Sequence, residues 1–426
     1  MNMPTRLTKT GSGLAAPAGI AGKEIRTLRA GFIPLVDASV LIAAAEFGFA
    51  RAEGLNLDLV KDVSWANVRD RLAFRQFDIA HMLSPMPVAS MLGLGSNPSP
   101  TITPFSLGRG GNAITLSVRL YERMRTIADL PEAADALENA RALASVVRDM
   151  KSRGEPLLTL AMTYPFSSHN YEFRYWLAAG GIDPDRDVKL VVVPPPLTSD
   201  ALASGAIDGF CVGAPWNMVA SERGAGRIVA AKQDIWPSAP EKVIGMRPEW
   251  AETHPATVAR LIVALDKAAR WCDSIENHDA LAETLADERY LGVPQHIIRN
   301  VLAGTFNLDA RGNQRVIEHY FDFHAGFANC PRPNDAMWIY SQMVRWGQVA
   351  ASQTAQQKVA QSYRPDLYCA ALGIAHSPFI PGTVEGTHAD DRFMDGRVFD
   401  PADIDAYVRD FDVRRETFAD PHAAED

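Results

Sequence analysis

The sequence predicts an α/β protein made of two doubly wound lobes with a cleft between them. Strand-like and helix-like segments alternate from Ile25 onward, the grammar of a parallel sheet covered by helices. The same order of segments returns roughly 130 residues later. In both copies an Asp opens the last strand and a Pro stands seven positions on, Asp78 to Pro85 and Asp208 to Pro215. An Asp–strand–Pro pattern is also common in α/β loops, so this spacing alone leaves coincidence open. A true repeat would mean two lobes of similar wiring, with ligands expected at the C-terminal ends of the strands.

Residues 27–33 read as the first strand, and Asp37 stands where the N-cap of a helix over 38–47 belongs. Gly54 supplies a left-handed turn behind that helix. Leu55, Leu57 and Leu59 alternate as a half-buried second strand. A helix over 65–74 and a third strand over 77–81 complete the first copy. In the second copy, 188–193 is a strand, 199–204 a helix and 207–212 a strand. Between the copies, 130–154 is charged, Ala-rich and helical in period. A helix with Val258, Leu261, Ile262, Leu265 and Cys272 on its apolar stripe runs to about residue 274, capped by Thr253 and carrying Pro255 in its first turn. More helices follow to about residue 371. The stretch beyond Ser377, rich in Asp, Gly and Pro, reads as an extended wrap around one lobe, with a free tail as the alternative. The expected organisation is a flexible leader over 1–24, a discontinuous first lobe over 25–115 and 245–376, a second lobe over 116–244, and a wrap over 377–426.

Composition narrows the function. A chain of 426 residues, 47% hydrophobic and 22% charged, is globular material for two or three lobes. Its formal charge of -9 leaves no basic field for a polyanion, so direct nucleic-acid binding is not expected and an anion site must be local. Cys211, Cys272, Cys330 and Cys369 are dispersed, without the spacing of a metal site or a disulfide scaffold, so neither metal nor cofactor is expected. The Gly/Ala/Pro run over 13–22, followed by Lys23 and Glu24, is too weakly apolar for a secretory signal. No segment is long and apolar enough to insert in a membrane. If the start is native, the protein is expected in the cytoplasm; a true start upstream would place it in the periplasm.

Candidate ligand contacts lie in five stretches that mix aromatic, polar, Gly and Pro residues: 64–67 with Trp65, 163–170 with His169, 194–196 with Pro195, 111–115 with Asn112, and 240–242 with Lys242. Together they offer donors, positive charge, helix N-termini and a flat apolar wall, which suit a small anion. Each has an ordinary explanation too. Trp65 in the first turn of a helix fits a core or rim aromatic, His169 is one of 10 histidines, and a lone lysine is normally solvated. Spacing alone selects none of them.

The chain resembles the nitrate- and bicarbonate-binding proteins of ABC importers and their cytoplasmic relatives that sense nitrate. The likeness is carried by G-F-I-P-L-x-D at 31–37, S-W-A-N-V-R-D at 64–70, A-H-M-L-S-P-M-P at 80–87 and G-N-A-I-T at 111–115. It continues through R-Y-W-L-A-A-G-G-I-D-P-D at 174–185, V-V-P-P-P at 192–196, F-C-V-G-x-P-W-N at 210–217, P-E-K at 240–242 and F-M-D-G-x-x-F-D-P at 393–401. It spans nearly everything after about residue 25. The resemblance implies a type II periplasmic-binding-protein fold with an anion held between the lobes, and Trp65, Asn112, His169, Pro195 and Lys242 as its contacts. In importers the position of Asn112 can be glutamine, which keeps an amide donor. Ala214 departs from the pattern, since several relatives have a glutamate there.

Nitrate is planar, monovalent and accepts only, so the Lys242 ammonium, a His169 N–H and the Asn112 amide suit it, with the Trp65 ring against its face. Bicarbonate adds a hydroxyl that wants an acceptor, which this set lacks; nitrate or nitrite is therefore preferred. The resemblance further implies a cytoplasmic nitrate sensor whose partner is an RNA-binding antiterminator regulatory protein, held without nitrate and released with it. The alternative is an exported solute-binding subunit that docks on the membrane subunits of an ABC importer. An enzyme is not expected: pyrimidine-synthesising proteins of a related fold carry a clustered cysteine motif, and no nucleophile–base pair, zinc signature or phosphate loop is present.

Overall fold

Two five-stranded sheets organise the chain, and in each the central strand is buried along its whole length. The structure is a computed structural model that describes residues 25–95, 99–375 and 392–415. The first sheet contains β1 (Arg26–Phe32), β2 (Leu55–Lys61), β3 (Ile79–Leu83) and β4 (Ile102–Ser106). The short β5 (Arg109–Gly110) follows. Then come β6 (Asn112–Ser117), β7 (Thr159–Met162), β8 (Lys189–Val192), β9 (Gly209–Gly213) and β10 (Gly226–Ala231) of the second sheet. β11 (Lys242–Met246) returns to the first. The orders are β2-β1-β3-β11-β4 and β8-β7-β9-β6-β10. Each sheet has three parallel strands followed by two antiparallel to their neighbours.

The wiring is thus the same in both lobes, and the paired aspartates show why. Asp78 accepts from the backbone N–H of Arg29 at 2.9 Å, and Asp208 from that of Thr159 at 2.9 Å. Each therefore pins the start of one parallel strand to a neighbour, β3 to β1 and β9 to β7. Pro85 and Pro215 then open the helices Pro85–Met91 and Trp216–Glu222, Pro215 as the N-cap. Strands β3 and β9 are buried throughout, as expected for parallel strands covered on both faces.

The chain passes from the first sheet to the second between β4 and β6 and comes back between β10 and β11. The two crossings touch through a bridge between Arg109 and Pro240. Strand β5 also pairs with β14 (Phe321–Asp322), which lies beyond the hairpin of β12 (Thr305–Asn307) and β13 (Gln314–Val316). Gly110 and Gly111 have φ of 85° and 92°, and a Cβ on Gly110 would lie 2.0 Å from the Tyr320 carbonyl oxygen. Only glycine lets this later segment close over the crossing.

Several elements differ from expectation. The third strand starts at Ile79, because Asp78 is engaged with Arg29 and Phe77 packs under Gly31. The helix expected over 38–47 is a 3₁₀ turn Val36–Ala38 followed by a helix Ser39–Glu46, and Asp37 lies inside the turn without capping anything. Its carboxylate is drawn to Lys242 instead. Thr253 ends a separate short helix, Pro248–Thr253, and its hydroxyl donates to the Glu249 carbonyl, so His254 is the N-cap of Pro255–Asp273. Gly54 has the expected left-handed φ of 71°, and the helix Ala136–Ser152 carries a capping box at Asp135 and Glu138. Over 392–415 the chain packs Phe393 against the rings of Tyr175 and Trp338, at 5.0 and 5.4 Å between centroids. Arg415 pairs with Asp183 and Asp185. The expected leader and the rest of the C-terminal segment lie outside the described residues.

Candidate functional site

Where the two crossings meet the strand ends, the chain buries two lysines, three carboxylates and two histidines in one group. From the first sheet come Asp37 in the turn after β1, His81 in β3, and Lys242 as the first residue of β11, with Glu241 just before it. From the second come Asn112 as the first residue of β6, and Ser168, His169 and Glu172 on the helix Ser168–Ala179 behind β7. Lys232 opens the short helix after β10. That Ser168–Ala179 helix begins where it does because Ser167 caps it, accepting from the Asn170 N–H at 3.0 Å. Ser168 and Glu172, four residues apart, then share one face. None of these side chains is more than 5% exposed.

Glu241 is the hub. Its Oε2 accepts from Asn112 Nδ2 at 2.5 Å, Ser168 Oγ at 2.6 Å and Lys232 Nζ at 2.5 Å. Its Oε1 is paired with Lys242 Nζ and lies 3.5 Å from His169 Nε2. Lys242 Nζ also reaches Asp37 at 2.7 Å, and Asp37 in turn faces His81 Nε2 at 2.9 Å. Lys232 pairs with Glu172 at 2.9 Å, and Asn112 Nδ2 lies 3.2 Å from the same carboxylate. The Trp65 ring closes one side, with Lys242 Nζ 5.6 Å from its centroid and the His81 ring 5.3 Å away. Trp65 Nε1 and His169 Nε2 are buried without a hydrogen-bond partner among the described residues.

The charge states follow from burial set against these partners. Burial pushes Glu241 up, but Lys232 and Lys242 outweigh it and hold the carboxyl well below its usual value. Burial raises Asp37 as well, and Lys242 and His81 reverse that, leaving it lowered. In Glu172 burial wins over Lys232, and the carboxyl is pushed up to about 7. Burial lowers His169 to about 3 against the pull of Glu241, and it lowers His81 against Asp37. Both imidazoles are neutral at pH 7. Thr163 Oγ1 lies 3.2 Å from His169 Nδ1; a hydroxyl donating there leaves the proton on Nε2, facing the cluster.

Of the residues singled out in the sequence, Trp65, Asn112, His169 and Lys242 come together here. Asn112 and Lys242 open strands. Pro195, itself buried, begins a 3₁₀ turn after β8, its carbonyl bonded to the Thr198 hydroxyl at 2.8 Å. No hydrogen bond among the described residues ties it to the group. Ala214 is bound through its backbone to the turn after β1 and to the crossing before β6, accepting from the Val36 N–H at 2.9 Å and donating to the Gly111 carbonyl at 2.8 Å. Asp37, His81, Glu172 and Lys232 were not among the candidates, and Glu241 lay in the 240–242 stretch but was passed over for Lys242. The carboxylates of Asp37, Glu172 and Glu241 bring the acceptors that the sequence-derived set lacks, so a hydroxyl-bearing anion finds partners here as well. Among the described residues no His, Cys, Asp and Glu are grouped to hold a metal ion, and no helix is long and apolar enough to cross a membrane.

Comparison with known proteins adds the following. A family model described as the NMT1-like family matches residues 21–286. A nitrate import ATP-binding protein, NrtC, from Synechocystis sp. is 35% identical over 426 residues, covering 98% of this chain and 60% of that protein. A bicarbonate transport ATP-binding protein, CmpC, from Synechococcus elongatus is 34% identical over 352 residues, covering 82% of the chain and 50% of that protein. The chain thus spans only about half to three fifths of the length of these two relatives. The crystal structure of the periplasmic nitrate-binding protein NrtA from Synechocystis PCC 6803 superposes with a TM-score of 0.82 at 28% identity, covering 91% of this chain and 99% of that one.

Proposed function

The chain belongs to the NMT1-like family, and on that premise we propose that it binds a small planar oxyanion, nitrate or nitrite first, in the cleft between its lobes. One observation carries this most strongly. Asn112, His169 and Lys242, from elements of both sheets, converge on the oxygens of a single carboxylate, that of Glu241. A carboxylate and a nitrate ion present the same face to a protein: planar, monovalent, two oxygens about 2.2 Å apart, acceptors only. Donors gathered for one are suited to the other. Trp65 Nε1, buried and unbonded among the described residues, is a further donor in search of an acceptor, and His169 Nε2, 3.5 Å from Glu241, has no hydrogen-bond partner there either. NrtA and NrtC, whose names speak of nitrate, support the same assignment. The three carboxylates and the similarity to CmpC make bicarbonate the competitor to test.

Calorimetric titration with nitrate, nitrite and bicarbonate in turn decides among them. Heat with nitrate or nitrite is the expected result, and binding of bicarbonate alone overturns the assignment.

The finer proposal concerns signalling. The anion stabilises one arrangement of the lobes and a protein partner stabilises another. In a cytoplasmic nitrate sensor that partner is an RNA-binding antiterminator; in an importer it is the membrane subunits. A pull-down with and without nitrate separates them, because release of an RNA-binding protein by nitrate belongs to the sensor and retention of importer subunits to the solute-binding role.

A further inference from the structure

We propose that Glu241 is the resident anion of the cleft, and that an incoming oxyanion binds by taking over its donors while the Glu172–Glu241 pair takes up one proton from solvent. This rests on the oxyanion assignment above and goes beyond it to what binding must displace.

Two counts lead there. The first is of donors. Ser168 Oγ is spent on Glu241 Oε2, Asn112 Nδ2 is divided between Glu241 and Glu172, Lys232 Nζ among Glu241, Glu172 and the Pro240 carbonyl, and Lys242 Nζ gives two of its three N–H groups to Glu241 and Asp37. With Glu172 in place, an outside anion joins Lys242 to Asn112 and Ser168 only if Glu241 lets go. The second is of charge. Asp37, Glu172 and Glu241 stand against Lys232 and Lys242, and the two histidines are neutral. With all three carboxylates ionised, the group already carries one more acid than base. Adding a monovalent anion alone would leave two uncompensated charges in a site from which water is largely excluded, a costly arrangement. Adding a proton with it returns the group to its starting excess of one. The proton converts one carboxylate to a neutral carboxyl, which no longer competes for the lysines, and no other bond is made or broken.

The surroundings of the pair oppose each other, burial and the neighbouring carboxylates favouring the proton on Glu172 and the lysines resisting it. The groups facing the pair are Asp37 after β1, His81 in β3, Asn112 in β6, Ser168 and His169 on the same helix as Glu172, Cys211 in β9, Lys232, Lys242, Tyr320 and Tyr363. Only the two lysines among them are cations. Glu172, already pushed up to about 7 by burial, is the member that accepts a proton most readily, and a second anion beside it raises it further. Uptake is therefore small below pH 7 and approaches one proton per anion above it.

The test is calorimetry with sodium nitrate on the full chain in pairs of amine buffers of unequal ionisation enthalpy, bis-Tris and imidazole at pH 6, Tris and triethanolamine at pH 8. The expected result is close to one proton taken up at pH 8, much less at pH 6, and affinity falling roughly tenfold per pH unit above 7. Glu241→Gln keeps the planar group and removes its charge; it should bind nitrate at least tenfold more tightly than wild type at pH 8 and with less proton uptake. Glu172→Gln, checked like the first variant by its thermal transition, should flatten the pH dependence. Nitrate binding without proton uptake at pH 8 overturns the proposal and leaves the oxyanion assignment standing. A folded Glu241→Gln protein that loses nitrate also overturns it, since Glu241 would then be a required partner. No nitrate heat at either pH removes both.

Discussion

Lys242 is held between two carboxylates in a dry site, and removing it should cost far more than removing either acid. Its Nζ lies 2.7 Å from Asp37 and also pairs with Glu241, and its side chain has no exposed surface. Lys242→Met keeps the length and apolar stem, so no large cavity forms. It leaves three carboxylates facing one lysine, an excess of two acids where there was one. Breaking a buried pair in this way costs about 3–5 kcal/mol, a large part of the roughly 5–15 kcal/mol that holds a typical domain together. Asp37→Asn acts differently, because Lys242 keeps Glu241 and the excess acid disappears; a loss of about 1–2 kcal/mol, that of one charged hydrogen bond, is expected. The double variant should be clearly more stable than the sum of the two losses predicts. Urea unfolding of the four proteins followed by tryptophan fluorescence gives the cycle. If Lys242→Met costs less than about 1 kcal/mol, as for an exposed pair, or if the two losses add to within about 0.5 kcal/mol, the buried ion group does not exist as described.

Other outcomes follow from the same structure. Asn112→Leu removes the amide that bridges Glu172 and Glu241, and nitrate affinity measured by calorimetry should fall by roughly 10–150-fold, the equivalent of one hydrogen bond to a charged group. His169 is kept neutral by burial, down to about 3 against an ordinary value of 6.5, so the unfolded chain binds the proton that the folded chain refuses. Its contribution is intact above pH 6.5 and is lost as the pH falls towards 3, by about 1.4 kcal/mol per unit. Glu172 runs the other way, relieved as the pH falls from about 7 to its unfolded value of 4.5. The diagnostic quantity is therefore the difference in unfolding free energy between wild type and a folded His169→Gln variant, which should change with that slope over this window. Ending the chain at residue 391 strips Phe411 from the Arg345 guanidinium, now 3.6 Å over its ring, and removes the Val413 carbonyl that accepts from it. That buried cation then lacks its cover, and a loss of at least about 3 kcal/mol is expected in urea.

The lobes were legible because their signals are local. Asp78 and Asp208 each precede an apolar strand and each secure the neighbouring strand through the same bond, so the repeated spacing carried structural meaning. Strand β11 was not, since its residues join the first sheet only after a long excursion through the second. The site divides in the same way. Trp65, Asn112, His169 and Lys242 were reached through resemblance, and spacing alone would have left Lys242 in solvent. Asp37 was misread because an Asp after a strand is an ordinary cap signal, and nothing near it announces a lysine 205 positions away. Glu172 and Lys232 look like the solvated face of a helix and a strand end. A closer signal was available: Glu172 lies in a helix whose neighbours are Tyr171, Phe173, Tyr175 and Trp176, all buried, and Lys232 directly follows a strand buried from end to end. A charge in such company needs a partner of opposite sign.

A crystal structure grown with nitrate tests the central claim most directly. Planar density beside the Trp65 ring, with oxygens about 3 Å from Asn112 Nδ2, His169 Nε2 and Lys242 Nζ, is the predicted result. Nitrate bound elsewhere on the molecule, with the cleft donors still wrapped around Glu241, would contradict it.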